Sequence, residues 1–190
     1  MVLNQKIYGV VLSGGESKRM GQPKGLLTMD GLSLVESAVA NLNAVCEAVV
    51  VAAGRHFEEI RQTSRVGLSI HRIDDWHYGM RSSLRSSLKV IPDGHVLVQH
   101  IDQPGVEIGT LEQLCSGRIG KPRVLTYRGR PGHPVLIPNW LRQVIEQDDQ
   151  RSLREIFNEV GVQNVHVNDA AITRNLNRRE DWNRFLFEFR

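Results

Sequence analysis

The stretch that most constrains the fold is IYGVVL, residues 7–12, a continuous apolar run. A strand with one wet face alternates apolar and polar residues. An unbroken run suits a strand buried on both faces, as in a parallel sheet covered by helices. AVVVAAG at 48–54, LSIHRI at 68–73 and HVLVQHI at 95–101 read as further strands. Segments of helical spacing lie between them. Ser33 is a good N-cap with Glu36 three residues on, the spacing of a capping box. Leu34, Val35, Ala38, Val39 and Leu42 then mark one helix face up to about Asn43. RHFEEIRQTS at 55–64, MRSSLRSSLKVI at 80–91 and the segment 108–115 also read as helices. RVLTYRG (123–129) and HPVLIP (133–138) are short strand candidates flanking a glycine loop, and VQNVHV (162–167) suits a last strand. The segments 139–147, 151–159 and 178–189 read as helices. Strands alternating with helices imply right-handed βαβ units. The expected fold is α/β: one Rossmann-like three-layer domain over 1–190, its sheet mostly parallel, with helices on both faces. Ligands of such sheets bind at the carboxyl ends of the strands. The loops after Leu12, Gly54, Ile73 and Ile101 therefore matter most.

Composition removes several function classes. No stretch approaches 18 consecutive apolar residues, so no membrane-spanning helix is expected. The N-terminal MVLNQKIYGVVLSGG lacks a basic leader and a small-residue cleavage site, and reads as a first strand. Cys46 and Cys115 lie far apart without CxxC spacing, which argues against structural zinc and a disulfide scaffold. The net charge of +3 is mild and aromatics are 6%. Neither a basic stripe nor stacking aromatics point to nucleic acid. A cytoplasmic protein without nucleic-acid or membrane partners is the simplest expectation.

The loop after the first strand is the unusual part. VVLSGGESKRMGQPKGLL (10–27) passes from a buried strand to an apolar segment through Gly14, Gly15 and Gly21. Glycine lets backbone N–H groups approach a ligand closely, and successive N–H groups make an anion nest. Lys18, Arg19 and Lys24 add three positive charges within seven residues. A polyphosphate suits such a loop. Arg19 can fork two phosphate oxygens, and Lys24 acts as a point charge. The loop has neither GxxxxGK[ST] nor GxGxxG, so it is neither a P-loop nor a dinucleotide fingerprint. A plain surface turn with solvated cations is the alternative.

LSGGESKRMGQPKGLL resembles the signature loop of the MobA/MocA-like nucleotidyltransferases of molybdenum cofactor maturation. Gly15, Ser17, Arg19, Met20, Gly21, Lys24, Leu26 and Leu27 fill the positions of that signature. DWHYGMRSSL is similar to the family's W-x-x-G-M-x-x-S-L segment, with Trp76, Gly79, Met80, Ser83 and Leu84. HVLVQHIDQPGV carries the family's Asp-x-Pro at Asp102–Pro104, with Ile101 where glycine is usual. RGRPGHPVLIP is similar to G-x-x-G-H-P-V, with Gly132, His133, Pro134 and Val135. NLNRREDW resembles a C-terminal family stretch, with Asn177 on a position that can reach a metal. Asn175 stands there for an aspartate, and Arg178–Arg179 for Thr-Pro. The matching segments follow the family's order from about residue 5 to 182.

The resemblance implies a Mg²⁺-dependent transfer of a nucleoside monophosphate from GTP or CTP to the phosphate of molybdopterin or a related acceptor, with release of pyrophosphate. Arg19, Lys24 and Asp102 are the implied catalytic residues. Leu12, Ser13, Gly14, Gly15, Lys24, Gly79, Ser83 and Asp102 would bind the nucleotide. Asp102 is the implied metal ligand, with Asn177 a second candidate. His133 lies between glycine and proline, outside any regular helix; contact with the acceptor and a purely structural role are both open. LSGG matches the guanylyl branch, whereas GQPKGLL and GMRSSL match the cytidylyl branch. A transferase for a sugar or alditol phosphate is an alternative. Another is a silent nucleotide-binding chaperone or regulator, with a molybdoenzyme as partner.

Overall fold

The expected first strand forms as β1 (Ile7–Ser13), buried along its whole length. It pairs in parallel with β4 (Ala48–Ala53) on one side and β6 (His95–His100) on the other. β5 (Ser69–Arg72) extends the sheet beyond β4. Beyond β6 lie β8 (Arg130–Ile137), β7 (Arg123–Tyr127) and β9 (Gln163–His166), giving seven strands in the order β5-β4-β1-β6-β8-β7-β9. β8 alone runs against its neighbours, pairing antiparallel with β6 and β7, while β9 runs parallel to β7. This computed structural model describes residues 6–65, 67–148 and 150–188. The N-terminal reading of residues 1–5 and the last position of the helix expected over 178–189 lie outside them.

Helices cover both faces, as expected. α1 (Leu34–Leu42) and α2 (Phe57–Thr63) pack with α4 (Ile108–Cys115) on one face, where Val39, Ile60 and Leu111 meet Val11, Val51 and Leu97. α3 (Met80–Leu88), α5 (Asn139–Gln147) and α6 (Leu153–Val160) cover the other, where Leu84, Leu141 and Ile156 meet Val10, Val50 and Val98. The predicted capping box of α1 is present: Ser33 Oγ accepts from Glu36 N, and the Glu36 carboxylate accepts from Ser33 N. α6 starts on the same motif, with Ser152 and Glu155. α7 (Arg179–Glu188) closes a smaller cluster, setting Trp182 and Phe185 against Met20, Leu27 and Leu34.

Three segments depart from the sequence reading. The helix expected over 80–91 ends at Leu88, four residues before Pro92, which cannot continue it. The glycine loop expected around residues 129–132 lies partly inside β8, and the chain turns instead through Arg128–Gly129, both at positive φ. A small hairpin, β2 (Thr28–Met29) with β3 (Leu32–Ser33), turns at Asp30–Gly31, again both at positive φ. Asp-Gly is the usual choice for such a two-residue turn, so the hairpin had a readable signal.

Candidate functional site

The site grows from the carboxyl end of β1. The chain leaves Ser13 as a loop with two 3₁₀ turns, Lys18–Met20 and Lys24–Leu26. Ser17 sits at φ 53° and Gly21 at φ 74°, so the loop folds back on itself. Ser17 Oγ accepts from Lys24 N at 3.1 Å and ties the two turns together. Buried Met20 and Leu27 anchor the loop beneath α7. His56, just before α2, lies 3.2 Å from the Glu16 carbonyl oxygen and steadies the loop's first half. Gly54 allows the close fit between β4 and this loop: a Cβ there would stand 2.6 Å from the Gly14 carbonyl oxygen and from Trp76.

Two other elements converge on the same edge. Gly79 caps α3 at φ 98°, and Ser82 and Ser86 hold that turn by donating to the Asp75 carbonyl and carboxylate. Asp102 follows β6 directly. Ile101 N donates to the Leu12 carbonyl at 3.2 Å, and Leu176 N donates to the Asp102 carbonyl at 2.8 Å. Asn177, fixed through its backbone N–H to Asp181, reaches the same point from the C-terminal segment. Lys24 Nζ donates to Asn177 Oδ1 at 2.9 Å and stands 3.4 Å from Asp102 Oδ2.

The result is one pocket of about 410 Å³. Leu12, Ser13, Gly14, Gly15, Arg19, Lys24, Gly79, Ser83, Asp102 and Asn177 all line it. Arg19 is exposed and has no hydrogen bond or ion pair among the described residues. Of the residues given an implied catalytic or binding role, only His133 does not line the pocket. Its ring lies against His100 with centroids 3.9 Å apart, and His100 forms part of the wall. Burial pushes His100 down to about 4 and His133 to about 3, so both imidazoles are neutral near pH 7. The sequence reading missed His100 and His56 as wall residues. Strand alternation held the signal for His100, which shares a face of β6 with Val96 and Val98.

The polar groups suit phosphate and a hard cation. Asp102 and Asn177 offer a carboxylate and an amide oxygen to one point, the donor type that Mg²⁺ takes. Among the described residues no group of three or more His, Cys, Asp or Glu gathers to hold a metal. The protein's own donors therefore fit an ion that completes its shell with water and substrate phosphates.

Residues 9–166 match the model of the MobA-like NTP transferase domain. The chain belongs to this family. It is thereby placed among the nucleotidyltransferases, and it extends beyond the matched region by the segment that carries Asn177. It is 35% identical over 157 residues to nicotine blue oxidoreductase of Paenarthrobacter nicotinovorans, covering 73% of this chain and 74% of that protein. It is 22% identical over 176 residues to molybdenum cofactor cytidylyltransferase of Escherichia coli, covering 91% and 92%. Rv0371c of Mycobacterium tuberculosis shares the fold, with a TM-score of 0.82 at 21% identity over 96% of this chain and 98% of that one. That protein's complex with manganese matches at a TM-score of 0.77 and 20% identity, over 96% and 98%. Among the described residues no helix is long and apolar enough to cross a membrane.

Proposed function

We propose that this MobA-like protein transfers a nucleoside monophosphate from GTP or CTP to the phosphate of molybdopterin or a closely related acceptor, releasing pyrophosphate. One observation carries the reading. The glycine-rich basic loop, the start of α3, Asp102 and Asn177 surround a single pocket at the carboxyl edge of the sheet. Family membership and the relative named molybdenum cofactor cytidylyltransferase support it.

The acceptor phosphate attacks the α-phosphorus in line, and pyrophosphate leaves. Such a transfer asks the protein to position both partners and offset charge. Gly14 and Gly15 leave room for the phosphates to approach the backbone. Arg19 forks phosphate oxygens, and Lys24 supplies a point charge to the departing pyrophosphate. Gly79 and Ser83 set the N-terminal turn of α3 beside the nucleotide, where the helix dipole favours an anion. Asp102, with Asn177 beside it, would hold Mg²⁺, which when bound orients the α-phosphate and offsets its charge. His100 stays neutral and leaves the cationic work to Lys24 and Arg19; His133 supports it from behind.

The test is turnover: protein, molybdopterin and Mg²⁺ with CTP or GTP, followed by pyrophosphate release. Release that requires both nucleotide and acceptor is expected. No release with either nucleotide contradicts the reading. The 35% identity to a protein named an oxidoreductase favours a second reading, in which the same pocket holds a nucleotide-containing redox cofactor. Stabilisation by a nicotinamide dinucleotide, and not by CTP or GTP, would select it.

A further inference from the structure

The proposed site already contains a cation of its own. Lys24 Nζ bridges Asn177 Oδ1 and Asp102 Oδ2, and the Lys24 and Asp102 side chains are only 14% and 24% exposed. Glu16, the other carboxylate on the pocket wall, is paired with Lys18 at 2.5 Å. Each carboxylate of the pocket therefore has a lysine partner. The two oxygens best suited to a divalent ion are the ones on which the Lys24 ammonium rests. A Mg²⁺ ion held by Asp102 and Asn177 would use the same oxygens as the Nζ ammonium. Two cations that close, half-shielded from water, repel. Lysine is a flexible point charge and can move away. A triphosphate offers it more acceptor oxygens than Asp102 and Asn177 do.

We propose that Lys24 is the resident counter-cation of Asp102 and Asn177, and that a divalent metal enters only as the nucleoside triphosphate draws Lys24 away. This rests on the nucleotidyl-transfer reading and adds an order of assembly to it. Lys24 is a latch before the nucleotide binds and a phosphate ligand after it. Metal and nucleotide then assist each other's binding reciprocally. The latch joins the signature loop to the C-terminal segment. That segment is itself pinned by Leu176 N on the Asp102 carbonyl and by Trp182 and Phe185 in the small core.

The test titrates the intact protein with Mn²⁺ alone and reads the free aquo ion by electron paramagnetic resonance, without nucleotide. Wild type is compared with Lys24→Met, and with Lys24→Gln should the methionine variant not fold. Wild type is expected to leave Mn²⁺ free, while the variants bind it about 10-fold or more tightly. Adding Asp102→Asn should abolish the gain. A wild type that takes up Mn²⁺ as tightly as the variants overturns the proposal, and so do variants that bind none. Thermal unfolding with CTP or GTP judges the transfer reading separately. Stabilisation there, with a failed Mn²⁺ comparison, removes the latch and leaves the transfer. No stabilisation removes the transfer, whatever Mn²⁺ does.

Discussion

Two sets of cations in this protein do opposite work. Arg123 and Arg142 are buried, at 4% and 6% exposure. Arg123 donates to the carbonyls of Leu114, Ser116 and Arg118 and to Gln163, and so closes the end of α4. Arg142 donates to the carbonyls of Leu88, Ile91 and Pro92 and closes the end of α3. Their donors are consumed by backbone acceptors, as helix carboxyl ends require. Arg19 and Lys24, at the other edge of the sheet, are not consumed in this way. Arg19 has no partner among the described residues, and Lys24 holds groups that a ligand would take over. The clamps therefore contribute stability, and the proposed function assigns the pocket cations to binding.

The largest expected effect breaks the pocket side alone. Lys24→Ala and Asp102→Asn should each lower turnover by about 10²–10³-fold. Their melting temperatures should stay close to wild type, because both side chains border the pocket and not the core. A variant with full turnover would remove that residue from the chemistry.

Arg142→Met tests the clamp side. It leaves three carbonyls without their donor and should cost about 3 kcal/mol. For a chain of this length that is a fall in melting temperature of about 6–12 °C. Turnover per folded molecule should be kept. A variant that unfolds normally but loses activity would dissolve the contrast.

Gly54→Ala sits between the two. The new methyl would press on the Gly14 carbonyl and Trp76, both within 3 Å. Displacement of the loop should raise KM for the nucleotide by several-fold, with a loss of about 1–2 kcal/mol in stability. Unchanged KM would mean that the loop does not depend on this packing.

The smallest effect concerns the paired imidazoles. His100 and His133 stand at about 4 and about 3 in the folded chain, against the usual 6.5. Below pH 6.5 the unfolded chain binds these protons and the folded chain does not, so stability falls with pH. The loss should begin near 6.5 and continue toward the folded values. Between pH 6.5 and 5 it should precede the loss from paired carboxylates such as Glu16, which Lys18 holds below the usual range, and Glu36, which hydrogen bonds from Ser33 and Arg65 hold there. Denaturant unfolding across that window, in wild type and His133→Gln, checks it. Equal slopes would deny the imidazoles that role.

Much of this was legible in the sequence because local rules and tertiary packing agree. The unbroken apolar run at 7–12 suited a central strand and the Ser33–Glu36 pair suited a helix start, and both formed so. The signature loop, Gly79 and Asp102 converge because βαβ winding brings the strand carboxyl ends to one edge. The unread parts depend on pairing across distance. Nothing local marks β8 as the reversed strand or sets His133 against His100. Nor does sequence spacing reveal that Arg142, on a helix face with Leu141 and Ile145, reaches three carbonyls near the end of α3. The Lys24 contact with Asn177 spans 153 positions and depends on a C-terminal segment held by Leu176 N on the Asp102 carbonyl and by α7 packed on Met20 and Leu27.

The most direct measurement is thermal unfolding with GTP, CTP, ATP and UTP, each with and without Mg²⁺. A ligand at 100 times its dissociation constant adds about 2.7 kcal/mol to the folded state. The account predicts selective stabilisation by GTP or CTP, larger with Mg²⁺, and lost in Lys24→Ala. No stabilisation by any of the four at millimolar concentration would contradict it.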